Sequence, residues 1–130
     1  MTFAVQEDNY IYYNRRPDGQ HLQDCVCRAI STATGLDYNV VEKLLNLTAE
    51  MYNCETLCVC CYHNLLDDLF DFPCYFCKNG ETVNDLSKKY PKNKVIIRVQ
   101  GHLTCSIYGK IPDIWNCSEE IVDCYWIVGE

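Results

Sequence analysis

The stretch Lys94-Val95-Ile96-Ile97-Arg98-Val99-Gln100-Gly101-His102-Leu103-Thr104-Cys105-Ser106-Ile107-Tyr108-Gly109-Lys110 decides how this chain folds. β-Branched and aromatic side chains crowd it, and such side chains pack well on a pleated sheet. Gly101 and Gly109 cut it into segments of strand length. The texture continues to the C-terminus, so four strands are expected over 94–100, 102–108, 110–115 and 121–128. Breaks fall at Gly101, at Tyr108-Gly109-Lys110 and at Asn116-Cys117-Ser118. Short strands with turn signals between them read as an antiparallel meander.

Upstream, the periodicity changes. Asn9 to Tyr13 suggests one short strand, followed by a polar turn from Asn14 to Gly19. Asp24 is a plausible N-cap for a helix through Cys25, Arg28, Ala29 and Ala33 that ends at Gly35. Asp37 can cap a second helix, with Val41, Leu44, Leu45, Thr48 and Met51 at helical spacing. A third helix is expected from about Glu55 to Phe70, with Cys58, Cys61, Leu65, Leu66 and Leu69 on one side. Thr82 with Asp85 forms a capping pair for a short helix that ends near Tyr90-Pro91. Helices first and a small antiparallel sheet last predict an α+β fold. With no repeat and no linker in the sequence, residues 1–130 are expected to form a single domain.

The totals exclude several functions. Net charge is −7, and the densest basic segment, Lys88-Lys89 with Lys92 and Lys94, reads as a solvated helix end. Neither nucleic acid nor an anionic membrane is an expected partner, because both need a basic face. No run of apolar residues is long enough to span a bilayer. Met1 to Asp8 turns acidic without the basic and apolar regions of a secretory signal. Cysteine is abundant, at 11 residues. With no signal sequence, reduced thiols in the cytoplasm are expected, most of them packed as small hydrophobes.

A cysteine nucleophile needs a thiolate, a base that holds it in that form, and donors for the oxyanion. Cys25 sits at a helix start, where the helix dipole favours thiolate; Cys27 lies farther into the first turn. Three histidines are available as base: His21 in the preceding loop, His63 within the third helix, and His102 at a strand start after Gly101. A third group must orient the imidazole, and Asp113 lies on the following strand. A two-residue loop at Tyr108-Gly109 would set Thr104 opposite Asp113 and His102 opposite Trp115. His102 and Asp113 would then be diagonal neighbours on one face.

These residues resemble those of a known family. Gln20-His21-Leu22-Gln23-Asp24-Cys25-Val26-Cys27-Arg28-Ala29 is similar to the Asp-Cys-x-x-Arg-Ala or Asp-Cys-Gly-x-Ala start of papain-like cysteine peptidases. The nearest look-alikes are the bacteriocin-processing type and small relatives in phages and Firmicutes. Gly101-His102-Leu103-Thr104 and Gly109-Lys110-Ile111-Pro112-Asp113-Ile114-Trp115 resemble their Gly-His and Gly-Lys-Ile-x-Asp-x-Trp segments. The likeness covers roughly residues 18–35 and 94–128, and departs at Val26, usually glycine, and at Pro112, where an aromatic is expected. It implies a papain-like fold with N-terminal helices packed on the sheet. It also implies Cys25 as nucleophile, His102 as base, Asp113 as orienting acid, and Gln20 rather than Gln23 as oxyanion donor beside the Cys25 N–H. The expected activity is hydrolysis of a peptide or other amide through a thioester, without a cofactor, on a peptide or protein substrate.

Two other readings accompany this one. A papain-like fold kept as a non-catalytic binding or inhibitory protein of phage or bacterial origin fits the small size and acidic surface. A zinc-stabilised module would use Cys54, Cys58, Cys60, Cys61, His63 and the Cys74-x-x-Cys77 pair. Core packing is the plainer account, because Cys58 and Cys61 share a helix face with Leu65.

Overall fold

A computed structural model describes residues 9–129; the acidic N-terminal segment Met1 to Asp8 lies outside them. The elements run β1 (Tyr10–Tyr12), α1 (Cys25–Thr34), α2 (Tyr38–Tyr52), α3 (Val59–Asn64), β2 (Cys74–Phe76), α4 (Val83–Lys89), β3 (Lys94–Val99), β4 (His102–Ile107), β5 (Ile111–Asp113) and β6 (Val122–Val128). Four α-helices and an antiparallel four-stranded sheet make the fold α+β. No helix among the described residues is long and apolar enough to cross a membrane.

The sheet order is β2-β6-β3-β4, which corrects the expected meander. The β4–β5 hairpin starts as expected, with both Tyr108 and Gly109 at positive φ and Ile107 and Lys110 exchanging backbone hydrogen bonds. Such a turn matches the right-handed strand twist. The ladder then stops, because Pro112 has no N–H to donate where Cys105 would stand opposite it. β5 turns instead to pair in parallel with β1, Tyr12 standing against Asp113. β6 returns on the far side of β3, and β4 is left as an edge strand.

Both faces of the sheet are covered, which is why β3 and β6 read as nearly continuous apolar runs. On one face Ile96, Leu103, Cys105, Cys124 and Trp126 pack with α1, α2 and the turn after α3 through Ile30, Val41, Leu45 and Leu66. On the other, Val95, Ile97, Tyr125 and Ile127 meet Val83 and Leu86 of α4.

The local signals perform unevenly. Gly35 closes α1 in the left-handed region, and Thr82 and Asp85 form a reciprocal capping box. The third helix starts later than expected, at Val59, and its Leu65–Leu69 portion widens into a π turn that leaves Leu69 exposed. Met51, expected in the core stripe of α2, points to solvent. Cys74–Phe76, where no strand was expected, is an edge strand on β6. Its pairing is long-range, and so invisible to local periodicity. Replacing Thr82 by Ala is expected to cost about 1 kcal/mol. In urea unfolding this would lower the midpoint and leave the slope unchanged.

Candidate active site

α1 begins at Cys25, so its peptide N–H is one of the first four donors that have no partner within the helix. Asp24 occupies the N-cap position without capping through its side chain. Its carboxylate turns to Arg28, whose Nε donates at 2.7 Å, and also accepts from the Tyr38 hydroxyl at 2.6 Å and Arg16 Nη1 at 3.2 Å.

The site forms where α1 crosses the edge strand β4. His102 opens that strand, and its Nε2 lies 2.7 Å from Asp113 Oδ2. With Nε2 engaged, Nδ1 is the nitrogen left for the Cys25 thiol, which lines the same groove and whose pKa the imidazole lowers. Asp113 is buried and well satisfied: Oδ2 also accepts from Thr104 Oγ1 at 2.8 Å, and Oδ1 from Arg28 Nη1 at 3.0 Å and the Ile114 N–H at 2.7 Å. Thr104 thus meets Asp113 as the loop register requires, although no ladder joins the two strands there. The Trp115 and His102 rings meet in a T-shaped contact, with centroids 4.9 Å apart.

The electrostatics separate this thiol from its neighbours. Burial opposes a Cys25 thiolate, but hydrogen bonds from His102 and the Leu103 N–H, with the charges of His102 and Arg28, outweigh it and lower the thiol pKa. Burial pushes Cys27 and Cys124 up to about 12 and raises Cys105 as well. Burial also opposes a His102 imidazolium, but bonds to Asp113, Cys117 and Cys25 push its pKa up to about 11. Asp113 is held below the usual carboxylate range, because its bonds to His102 and Thr104 and the nearby Arg28 outweigh burial.

A groove opens on both sides of the Cys25–His102 pair. One part, ≈ 330 Å³, is walled by Leu57, Val59, Tyr62 and Val99. The other, ≈ 660 Å³, is walled by Leu22, Gln23, Ile114 and Trp115. Gln23 therefore stands at the groove, whereas Gln20 does not line it. The loop folds Gln20 outward, its N–H donating to Asp18 and its carbonyl accepting from Asn14. Of the two glutamines, Gln23 is thus the one placed at the groove, and Gln20 is turned away from it. The resemblance favours Gln20 by its spacing from Cys25, whereas the chain here turns at residues 16–19 and again at 22–24.

The other histidines are engaged elsewhere: His21 with the Tyr12 hydroxyl, and His63 with Arg98 Nη1 at 2.8 Å. All eleven cysteines are free thiols. Among the described residues, the one group with ligand atoms close enough for a metal is His102, Asp113 and Cys117, within 4.8 Å of one another. Arg28 and four further donors, the Cys117 thiol among them at 3.8 Å, already bond Asp113, so a cation there would face a guanidinium. Cys54, Cys58, Cys60, Cys61, Cys74 and Cys77 form no such group. Sequence reasoning left out Arg28 and Cys117 as site residues. The i,i+4 spacing of Asp24 and Arg28 was the available signal for the first; nothing local marked the second. No known family model, curated protein or solved structure matches this chain.

The raised His102 pKa has a stability consequence with a definite sign. A group that binds its proton more tightly when folded stabilises fully below its unfolded pKa, ~6.5 for His. That contribution is lost as pH rises through the folded value, about 11. The stability difference between wild type and His102→Gln, from urea unfolding, is expected to be largest near pH 6 and to shrink steadily toward pH 10.

Proposed function

We propose that this protein is a cysteine hydrolase of papain-like architecture that cleaves a peptide or other amide bond. One observation carries the reading: a thiol at a helix start faces an imidazole whose other nitrogen bonds a buried carboxylate at 2.7 Å, at the mouth of a groove. The helix-first, sheet-last order and the edge position of β4 support the architecture.

Cys25 Sγ, as thiolate, attacks the carbonyl carbon. The carbon–oxygen π bond opens to an oxyanion that accepts hydrogen bonds from the Cys25 N–H and the Gln23 side-chain amide. His102, protonated, delivers its proton to the leaving amine as the C–N bond breaks, giving a thioester and neutral imidazole. Water then attacks the thioester, His102 takes its proton, and C–S cleavage restores the thiolate–imidazolium pair. Asp113 holds the ring throughout, so that one nitrogen faces the thiol.

A second reading, a binding protein on the same fold, is favoured by one observation. Leu22, Leu57, Val59 and Trp115 are exposed apolar side chains that ring the groove, and such a rim suits a protein partner.

Alkylation of the native protein by iodoacetamide, read by peptide mass spectrometry against pH, tests the first reading. Cys25 is expected to label faster than Cys27, Cys61 and Cys105, to keep its rate below the free-thiol pKa of ~8.5, and to lose this advantage in His102→Ala. On an amide substrate found by screening, Cys25→Ala should abolish turnover. Gln23→Ala should lower it on the order of a hundredfold, and Gln20→Ala should leave it unchanged. A partner bound equally well by wild type and Cys25→Ala, with no enhanced labelling of Cys25, would select the binding-protein reading.

A further inference from the structure

Arg28 is buried, and its guanidinium spans two carboxylates: Nε bonds Asp24 Oδ1 at 2.7 Å and Nη1 bonds Asp113 Oδ1 at 3.0 Å. It lies three residues after Cys25 and four after Asp24, and side chains at those separations are neighbours on a helix surface. A single turn of α1 therefore carries the thiol and also the side chain that grips the carboxylate on β5. The charged groups facing Arg28 are Asp24 ahead of the helix, Asp113 on β5 and Cys25 beside it, while Arg16 reaches Asp24 at 3.2 Å.

The two oxygens of Asp113 are divided between tasks. Oδ1 takes Arg28 and the Ile114 N–H, and Oδ2 takes His102 and Thr104. Gripping Oδ1 fixes the rotation of the carboxylate, and with it the direction in which Oδ2 receives the imidazole. A planar guanidinium fork that bonds a carboxylate on each side supplies this orientation, whereas an ammonium offers only a point charge. The same positive charge lies near enough to Cys25 to favour its thiolate.

We propose that Arg28 is a positioning residue of this site: it aligns Asp113 on His102 from the nucleophile's own helix, and Asp24 in turn anchors Arg28. The inference rests on the cysteine-hydrolase reading and explains the Asp24-Cys25-x-x-Arg28 pattern as one mechanical unit.

The experiment is iodoacetamide alkylation of the full chain between pH 5 and 9, comparing wild type, Arg28→Lys and Arg28→Met, with Cys27, Cys61 and Cys105 as markers of an intact fold. Arg28→Met is expected to label Cys25 on the order of tenfold more slowly at pH 6, an upward move of its acid limb by about one unit. The buried cysteines should stay protected, and Arg28→Lys should fall between the two. A wild-type profile in folded Arg28→Met overturns the inference, and so does a slowed profile accompanied by exposure of the buried cysteines. If Arg28→Met does not fold, Arg28→Lys decides: slowing with the buried cysteines protected supports the inference, and a wild-type profile overturns it. Slow Cys25 labelling in the wild type itself would sink the active-site reading and this inference together, which distinguishes that failure from the others.

Discussion

The buried carboxylate of Asp113 is the constraint on which the rest of the site depends. A charge taken out of water must be paired and hydrogen-bonded or it destabilises the fold. Asp113 meets that demand with donors from three parts of the chain: Arg28 on α1, His102 and Thr104 on β4, and the Ile114 N–H just beyond its own strand. Satisfying one carboxylate thus locks helix, edge strand and hairpin into a single geometry. Removing one partner from such a buried pair costs about 3–5 kcal/mol, so the arrangement that orients His102 also stabilises the fold around it.

The departure of β5 from the main sheet belongs to the same constraint. Had the meander continued, Asp113 would lie in a ladder beside β4. Pro112 prevents this, and the parallel pairing with β1 gives the freed segment new backbone partners, Tyr13 N–H donating to the Asp113 carbonyl at 2.9 Å. Edge strands expose unpaired peptide groups that proteins generally cover. Here α1, β5 and the Trp115 ring gather at the His102 end of that edge and leave the groove open.

The abundance of cysteine reflects environment more than chemistry. Of the ten thiols other than Cys25, many are packed as small apolar groups. Cys105 and Cys124 sit under helices with thiols that burial pushes up. The imidazole of His102, the Leu103 N–H and the nearby Arg28 guanidinium reverse that direction at Cys25. Eleven copies of one functional group thus span very different tendencies to ionise, decided by neighbours rather than by residue type.

Local features could be read directly from the residue order. It marked the Thr82–Asp85 capping box, the end of α1 at Gly35, the helix start at Cys25 and the two-residue turn at Tyr108-Gly109, because caps and turns depend on residues a few positions apart. That turn, through strand parity alone, also put Thr104 and His102 on one side with Asp113 and Trp115. The remaining features had to await the folded chain. The order β2-β6-β3-β4, the pairing of β1 with β5 and the strand at Cys74–Phe76 come from contacts between distant segments, whose energies leave no trace in local periodicity. The choice of Gln23 over Gln20 at the groove turned on a loop bend, and Arg28's reach to Asp113 crosses 85 residues of chain. A spacing rule finds side chains that share an element, but a buried charge finds its partner wherever the fold delivers one.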